Sequence, residues 1–473
     1  MSTPPAPTAT RREWIGLGVI ALPCLLYSMD LTVLNLALPA LGAHLKPSSV
    51  QLLWIVDIYG FLVAGSLLTM GTLGDRIGRR RLLLIGAVVF GIASVMAAFS
   101  SSAEMLIAMR ALLGIAGATL APSTLSLIRN MFHDTQERTF AIGVWITSYS
   151  VGAAIGPLLG GMLLEYFWWG SVFLLAVPVM ALLLAVGPLL LPEYRDPDAG
   201  RLHIPSAVLS LAAVLALIFG LKQAAQDGMS WLPALAIVGG VALAVLFVRT
   251  QRTLADPLID LRVFRVPAFS AALAIYTLAT FVAFGIFVFM VQYLQLVLGM
   301  TPLMAGLWTV PFALGFVLGS MLAPRLVRRL RRADIMAGGL VLAGLGYILL
   351  TQVSRTAGPG VLVAGMVLQS IGLAPVFTLT NDLIIGAAPP QRAGAAAGIS
   401  ETGSELGGAL GIALLGSLAT AIYGSALARE TLPQALELTA AVCAVIVVAM
   451  AAVIVLMLRR QRAGADAAGA IGH

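Results

Sequence analysis

The chain has 473 residues, of which 60% are hydrophobic and only 10% are charged, and its mean hydropathy is +0.99. Because an average soluble domain carries roughly 25% charged residues, this composition excludes soluble enzymes, coiled coils and disordered regulators and predicts an integral membrane protein. The formal net charge of +7 would suit a nucleic-acid partner only if the basic residues shared one soluble face. They lie instead between apolar segments, so no nucleic-acid partner is expected.

Fourteen apolar runs are long enough to cross a bilayer core, which needs about 20 residues per helix. Numbered as spans 1 to 14, they cover residues 14–41, 50–73, 82–99, 104–128, 139–165, 170–191, 204–222, 231–248, 267–298, 302–324, 335–353, 359–384, 394–423 and 436–458. An even number of spans places both termini on one side of the membrane. The polar start of the chain lacks a signal-peptide pattern, so we expect cytoplasmic tails at 1–13 and 459–473.

The positions of lysine and arginine test this map, because loops on the cytoplasmic side of a membrane protein are enriched in both. Of the 28 basic residues, 23 fall on one side of the predicted membrane, 4 fall on the other and Arg110 lies inside span 4. The four exceptions are Lys46, Lys222, Arg355 and Arg429. The arginine-rich side, called the inner side below, is therefore predicted to face the cytoplasm, across the cytoplasmic (inner) membrane.

An internal repeat relates spans 1–6 to spans 9–14. A cluster of arginines at 76–81 follows span 2, and a second cluster at 325–332 follows span 10. Glycines repeat in spans 5 and 13, at Gly152, Gly156, Gly160 and Gly161 and at Gly403, Gly407, Gly408 and Gly411. The sequence thus predicts an all-α membrane protein with two six-helix bundles, residues 14–191 and 267–458, and an inserted helix pair at 204–248 that we expect to be structural.

Six ionisable side chains stand out within predicted spans, because a charge buried in the membrane costs at least a few kcal/mol and is therefore a functional candidate. They are Asp30, Asp57, Arg110, Asp382, Glu401 and Glu405. The depths of Asp30, Asp57 and Arg110 predict one shared cavity in the outer half of the membrane, although Arg110 also fits a static partner of an aspartate. Asp382 is expected at the inner membrane interface, outside the site.

Glu401 and Glu405 are four residues apart and therefore share one helix face. Two close carboxylates in a medium of low dielectric constant cannot both ionise cheaply, so such a pair can carry a proton. Aromatic rings beside acids favour cation binding. The predicted substrate cavity comprises Tyr27, Asn35, Trp54, Phe61, Phe284 and Trp308. The two cysteines have neither metal-ligand nor disulfide spacing, so we expect no metal, no cofactor and no enzymatic activity.

Three motifs resemble a known family. The loop GTLGDRIGRRR at 71–81 resembles the signature between spans 2 and 3 of the major facilitator superfamily, and GAAIGPLLGG at 152–161 is similar to its antiporter motif. The first-span segment MDLTVLNLALP at 29–39 resembles that of the fourteen-span drug:proton antiporters, the quaternary-ammonium and methyl-viologen efflux pumps. The acid at position 75 can bind a helix N-terminus or a nearby arginine and latch the inner side, while small residues in span 5 allow close helix contact.

The resemblance implies a proton-coupled antiporter that exports lipophilic cationic drugs, dyes and antiseptics by alternating access. It assigns proton coupling or substrate contact to Asp30, Asp57, Glu401, Glu405 and Arg110. It assigns the gating motif to Gly71, Asp75, Arg76, Gly78, Arg79 and Arg80, and the antiporter motif to Gly152, Gly156, Pro157, Gly160 and Gly161. The implied partners are lipophilic cations, protons and the lipid bilayer, with the monomer as the working unit. The sequence leaves open which acid is the obligatory proton carrier, and an exporter of a specific metabolite, antibiotic or siderophore remains the alternative.

Overall fold

The computed structural model describes residues 8–195, 202–254, 257–353, 359–423 and 431–471, and within them the regular structure is helical throughout. Each predicted span corresponds to one helix, numbered α1 to α14 in the same order. These are α1 Arg11–Leu45, α2 Ser49–Ile77, α3 Arg79–Ala98, α4 Ala103–Met131, α5 Thr135–Tyr166, α6 Ser171–Leu190, α7 Ile204–Asp227, α8 Trp231–Thr253, α9 Pro267–Val297, α10 Pro302–Val327, α11 Arg332–Leu350, α12 Pro359–Ala387, α13 Ala393–Tyr423 and α14 Leu432–Ile471. In the described residues, all of these except α13 are long and apolar enough to span a membrane by themselves.

Prolines account for two interruptions in these helices. A proline ring clashes with the carbonyl four residues earlier and offers no N–H to it. In α4 the regular helix stops at Gly117 and resumes at Leu120, just before Pro122, and in α6 it breaks at Leu175, ahead of Pro178. The chain continues as one span past each interruption, so the number of spans is unchanged.

The two halves of the chain pack in the same way. Helix α1 packs on α5 and α6, as α9 packs on α13 and α14. Helix α4 packs on α2 and α3, as α12 packs on α10 and α11, and the pair α3 with α6 matches α11 with α14. Every pair is offset by eight helices, which is the offset of the predicted repeat. The fold class is thereby confirmed as two six-helix bundles with an inserted pair.

Two seams join the halves, one where α2 packs on α13 and the other where α5 packs on α10. The repeat matches α2 to α10 and α5 to α13, so it converts one seam into the other. A pseudo-two-fold relationship between the halves requires this exchange. At the first seam the backbones approach closely, because a Cβ built on Gly71 would lie 2.3 Å from the carbonyl oxygen of Gly394. Only glycine permits this approach.

The inserted pair covers the first seam. Helix α7 packs on α8 and also on both α2 and α13. The prediction that Lys222 lies in an outer loop is wrong, because α7 continues to Asp227 and the side chain of Lys222 reaches α2. The inserted pair therefore contributes a charged group in addition to its packing.

Some sequence predictions fall outside the described residues. The side chains of Asn35 and Pro157 are among these, although both positions lie within helices. The segment 424–430 and parts of both tails also lie outside the described residues.

Candidate functional site

Asp30 of α1 and Arg110 of α4 form an ion pair in the N-terminal half. The Arg110 Nη1 atom lies 2.6 Å from Asp30 Oδ2, and Arg110 Nε donates a hydrogen bond to the Ile55 carbonyl at 3.2 Å. The guanidinium also stacks over the Tyr59 ring, 4.6 Å from its centroid. Arg110 is 1% exposed and Asp30 is 17% exposed, so the carboxylate is the member of the pair that a ligand or proton can reach.

Asp57 forms a different ion pair from that of Asp30 and Arg110. Its Oδ1 atom accepts a hydrogen bond from Lys222 Nζ of α7 at 2.8 Å. Side chains two residues apart on α2 point to opposite sides of the helix, since Tyr59 faces Arg110 while Asp57 and Phe61 face α7. The rotation of α2 about its axis separates the two aspartates.

Glu401 and Glu405 of α13 lie on one face of that helix, and each meets a tyrosine hydroxyl from a different half of the protein. Tyr27 of α1 donates to Glu405 Oε1 at 3.2 Å, and Tyr276 of α9 donates to Glu401 Oε1 at 3.4 Å. Both carboxylates are partly accessible. The Glu405 contact links the two halves, because α1 belongs to the first and α13 to the second.

Aromatic rings line the C-terminal half beside this acid pair. A chain of ring contacts with centroids 5.3 to 6.3 Å apart joins α9, α10 and α12 and ends at the Tyr276 ring, and it runs through Phe287, Phe312, Phe316 and Phe377. Phe284 is half-exposed and packs beside Gly408, one turn beyond Glu405 on α13. Trp308 is partly buried against the core. Of the predicted cavity aromatics in this half, Phe284 is the one whose position beside the acidic face is fixed by contacts.

The inner ends of the two halves are joined at Asp75. Its Oδ1 and Oδ2 atoms accept hydrogen bonds from the backbone N–H groups of Gly394 and Ala395, at 3.0 and 2.8 Å. These groups begin α13, where the helix dipole favours a negative charge. Arg79 donates to the same carboxylate, with Nε 2.9 Å from Oδ1. Asp75 thus meets both partners that its position suggested, a helix N-terminus and an arginine.

Other residues of the 71–81 loop fix the conformation of its backbone. Gly78 has φ of +110°, and a Cβ there would lie 2.6 Å from the Glu193 carboxylate. That carboxylate accepts from the backbone N–H groups of Arg80 and Arg81, at 3.2 and 3.1 Å, and so caps the start of α3. Arg80 donates to the backbone carbonyls of Pro188 and Leu191 at the end of α6, and Arg76 is partly accessible.

Asp382 is fully buried, which corrects its predicted place at the membrane interface. Arg138 Nε and Arg332 Nη2 each lie 2.6 Å from its carboxylate, and the Thr139 hydroxyl donates to it at 2.9 Å. These partners come from α5 and α11, so the cluster joins the halves near the second seam. Sequence reasoning missed the cluster because both arginines begin helices and looked like ordinary inner-loop charges.

The glycines of α5 and α13 serve matching contacts. A Cβ on Gly152 would lie 2.2 Å from the Leu25 carbonyl oxygen of α1, and a Cβ on Gly411 would lie 2.1 Å from the Phe281 carbonyl oxygen of α9. Gly160 packs tightly on Val33, whereas Gly161 faces open space. Close packing therefore accounts for five of the repeated glycines, namely Gly152, Gly160, Gly403, Gly407 and Gly411.

Two further groups in this region were missed from sequence. Lys222 was assigned to a loop. It is one of only two lysines in the chain and it lies at the end of an apolar run, which was a usable signal. Apart from their hydroxyl groups, nothing in the sequence indicated that Tyr59 and Tyr276 would contact the ionisable residues. Within the described residues, no group of three or more His, Cys, Asp or Glu side chains is placed to hold a metal ion.

Comparisons with known proteins agree with this architecture. The family model described as Major Facilitator Superfamily matches residues 20–285 and again 272–471. The chain is 42% identical over 423 residues to the multidrug efflux pump LfrA of Mycolicibacterium smegmatis, covering 89% of this chain and 84% of that protein. It is 37% identical to the methyl viologen resistance protein SmvA of Salmonella typhimurium, over 90% of this chain and 86% of that protein. The crystal structure of the human organic anion transporter MFSD10 has the same fold, with a TM-score of 0.66 and 18% identity over 94% of this chain and 100% of that one. The chain belongs to the Major Facilitator Superfamily.

Proposed function

We propose that this protein is a proton-coupled antiporter that exports lipophilic cationic drugs, dyes and antiseptics by alternating access between its two halves. The observation that carries the proposal is the acid pair of α13, in which Glu401 bonds to Tyr276 of its own half and Glu405 bonds to Tyr27 of the other. The two relatives described above are named for multidrug efflux and for methyl viologen resistance, which supports the same substrate class.

The chemistry of exchange follows from competition for a carboxylate. A partly buried carboxylate is stabilised by a proton or by a bound cation, and one ligand must leave before the other binds. Because Glu405 bonds across the halves, its occupancy biases how they sit against each other. Asp30 is the second candidate carrier, since it is the accessible member of a pair whose arginine is buried.

The state described here fits the outward-facing step of this cycle. The Asp75 and Asp382 contacts hold the inner ends of the halves together. In the proposed cycle these contacts break to admit a drug from the cytoplasm and re-form to release it outside. In this proposal the arginine-rich inner side and both termini face the cytoplasm, because basic loops are enriched on that side. The protein then lies in the cytoplasmic membrane and works as a monomer.

The test is proton release from liposomes that contain the purified protein. An imposed pH gradient is held while ethidium, benzalkonium or methyl viologen is added, and Asp30→Asn, Glu405→Gln and the exposed control Glu165→Gln are compared with the wild type. We expect cation-triggered proton flux in the wild type and the control, and at least a tenfold loss in one or both of the other variants. Thermal stability of each variant separates lost coupling from lost folding, because Asp30→Asn leaves Arg110 buried without its carboxylate.

Absence of flux with every cation tested, from protein that is folded and correctly inserted, would refute multidrug export. That result would point to the alternative cargo, a specific metabolite, antibiotic or siderophore, carried by the same fold.

A further inference from the structure

The Asp57 carboxylate and the Phe61 ring together form a site that is already filled by a cation, the ammonium of Lys222. Lys222 Nζ lies 2.8 Å from Asp57 Oδ1 and 4.8 Å from the centroid of the Phe61 ring. The two acceptors are one turn apart on α2, and the ammonium comes from the inserted helix α7. The Lys222 side chain is 36% exposed and that of Asp57 is 21% exposed, so the pair is open to a competitor.

The surroundings of this ammonium suit a larger and more apolar cation. The Trp54 and Phe219 rings both pack edge-on against the Phe61 ring, with centroids 6.4 and 6.5 Å away. Aliphatic side chains of α7 and α13 pack on the same cluster, among them Val214 and Leu406. A carboxylate framed by aromatic faces and aliphatic walls recognises lipophilic and quaternary cations. The lysine ammonium neutralises the Asp57 carboxylate, whereas a larger apolar cation would also contact the surrounding rings and aliphatic side chains.

Holding α7 in place does not require this ion pair. Leu211 and Leu215 of α7 pack against Gly65 of α2, where a Cβ would lie 2.5 Å from a Leu211 methyl carbon. The structural role is thus carried by apolar packing, so the ammonium can leave Asp57 without releasing α7 from α2.

A displaced Lys222 has a second carboxylate nearby, that of Glu405 on α13, which also accepts from Tyr27. Leu406 follows Glu405 directly and belongs to the cluster around Phe61, so both acids lie beside α7. Glu405 therefore offers a partner to the ammonium when it leaves Asp57.

We propose that Lys222 is a tethered cation that occupies an Asp57 and Phe61 binding site at the contact of α2 with α7, and that lipophilic cations bind there by displacing it. This inference rests on the proposed function, because it gives the exported cations a second, self-occupied site beside the seam of α2 with α13. Lys222 then sets selectivity, since only cations with enough apolar surface to gain from the rings outcompete a tethered ammonium.

The chain offers a direct measurement, because its only lysines are Lys46 and Lys222. The full-length protein in detergent is treated with an amine-reactive reagent, and labelling of each lysine is followed by mass spectrometry with and without ethidium. We expect ethidium to raise the labelling rate of Lys222 severalfold and to leave that of Lys46, an exposed residue at the end of α1, unchanged. Asp57→Asn should raise Lys222 labelling without any ligand, and the uncharged dye Nile red should have no effect.

Binding affinity gives the second readout, by fluorescence of ethidium titrated with protein. Lys222→Met removes the competitor and should lower the ethidium Kd about tenfold. The double variant Asp57→Asn with Lys222→Met keeps a neutral pair of similar size and should lose that gain. Lys46→Met serves as the matched control.

Each outcome decides between the two ideas. Equal ethidium affinity in the wild type and Lys222→Met, with ligand-independent labelling of Lys222, overturns the tethered-cation site while cation-triggered proton release in the wild type leaves the proposed function standing. Absence of both binding and proton release for every cation overturns the proposed function and the site with it.

Discussion

The backbone nitrogen of Ala395 lies 2.8 Å from Oδ2 of Asp75, so a carboxylate at the inner end of α2 caps the first turn of α13 in the opposite half. Gly394 donates to the other oxygen of the same carboxylate at 3.0 Å. Hydrogen bonds to charged groups contribute about 1.5 to 3 kcal/mol each. A single side chain therefore joins the inner ends of the two halves through two hydrogen bonds to a charged group.

Asp75→Asn should open the inner side. The neutral amide weakens both bonds to α13 and leaves the buried Arg79 without a carboxylate, and a loss of about 3 kcal/mol changes the ratio of closed to open molecules roughly a hundredfold. Spin labels at the exposed positions Gln136 and Gln391, one in each half, report the change. We expect pulsed electron paramagnetic resonance to show a longer distance in most molecules of this variant. Asp334→Asn, an exposed acid on the same side, should leave the wild-type distance in place.

Gly71→Ala should block transport, and Gly60→Ala on the same helix should not. A Cβ at position 71 would lie 2.3 Å from the Gly394 carbonyl oxygen, whereas a Cβ at position 60 meets nothing within 4 Å. The first change keeps α2 and α13 apart, so we expect dye efflux to fall at least tenfold. The second should keep efflux within twofold and hold or raise the melting temperature, because alanine favours a helix by up to about 1 kcal/mol over glycine. Equal efflux in the two variants contradicts a tight seam.

Asp382→Asn should destabilise the protein much more than Asp260→Asn. Asp382 is fully buried between Arg138 and Arg332, and removing one partner of a buried ion pair costs about 3 to 5 kcal/mol. The Asp260 pair with Arg392 is about two-fifths exposed, and such pairs contribute about 0 to 1 kcal/mol. Thermal unfolding in one detergent measures the difference. Similar melting temperatures for the two variants would show that the buried cluster does not stabilise the closed halves.

Glu405→Gln should separate transport of the cation from transport of protons. The substitution fixes the side chain in a neutral form but retains an oxygen that can accept from Tyr27. We expect proton release driven by ethidium to fall at least tenfold, while exchange of labelled for unlabelled ethidium across the same membrane continues. Glu165→Gln at the exposed outer end of α5 is the control and should keep both activities. Full proton release in Glu405→Gln would contradict the assignment and indicate that Asp30 or Glu401 carries the coupled proton.

The number of spans, the repeat and the family could all be predicted from the sequence. Each depends on segments of about 20 residues or on short motifs, because a bilayer core of fixed thickness acts on every segment separately. The structure has a helix for each predicted span, and the packing pairs of spans 1–6 recur in spans 9–14. The helix interruptions ahead of Pro122 and Pro178 also follow from local chemistry.

Only the tertiary structure decided which charges meet. The sequence placed Asp57 with Asp30 by depth, but the rotation of α2 directs Asp57 to Lys222 and leaves Asp30 to Arg110. Asp382 meets arginines of α5 and α11, and Glu405 meets Tyr27 from the other half. Helices that are apolar on every side carry almost no pattern that fixes their rotation about their own axes. The depth of a residue in the membrane can therefore be predicted from the sequence, but the direction in which its side chain points cannot. Direction is set by close contacts such as Gly71 with Gly394, and these form only when the two halves pack together.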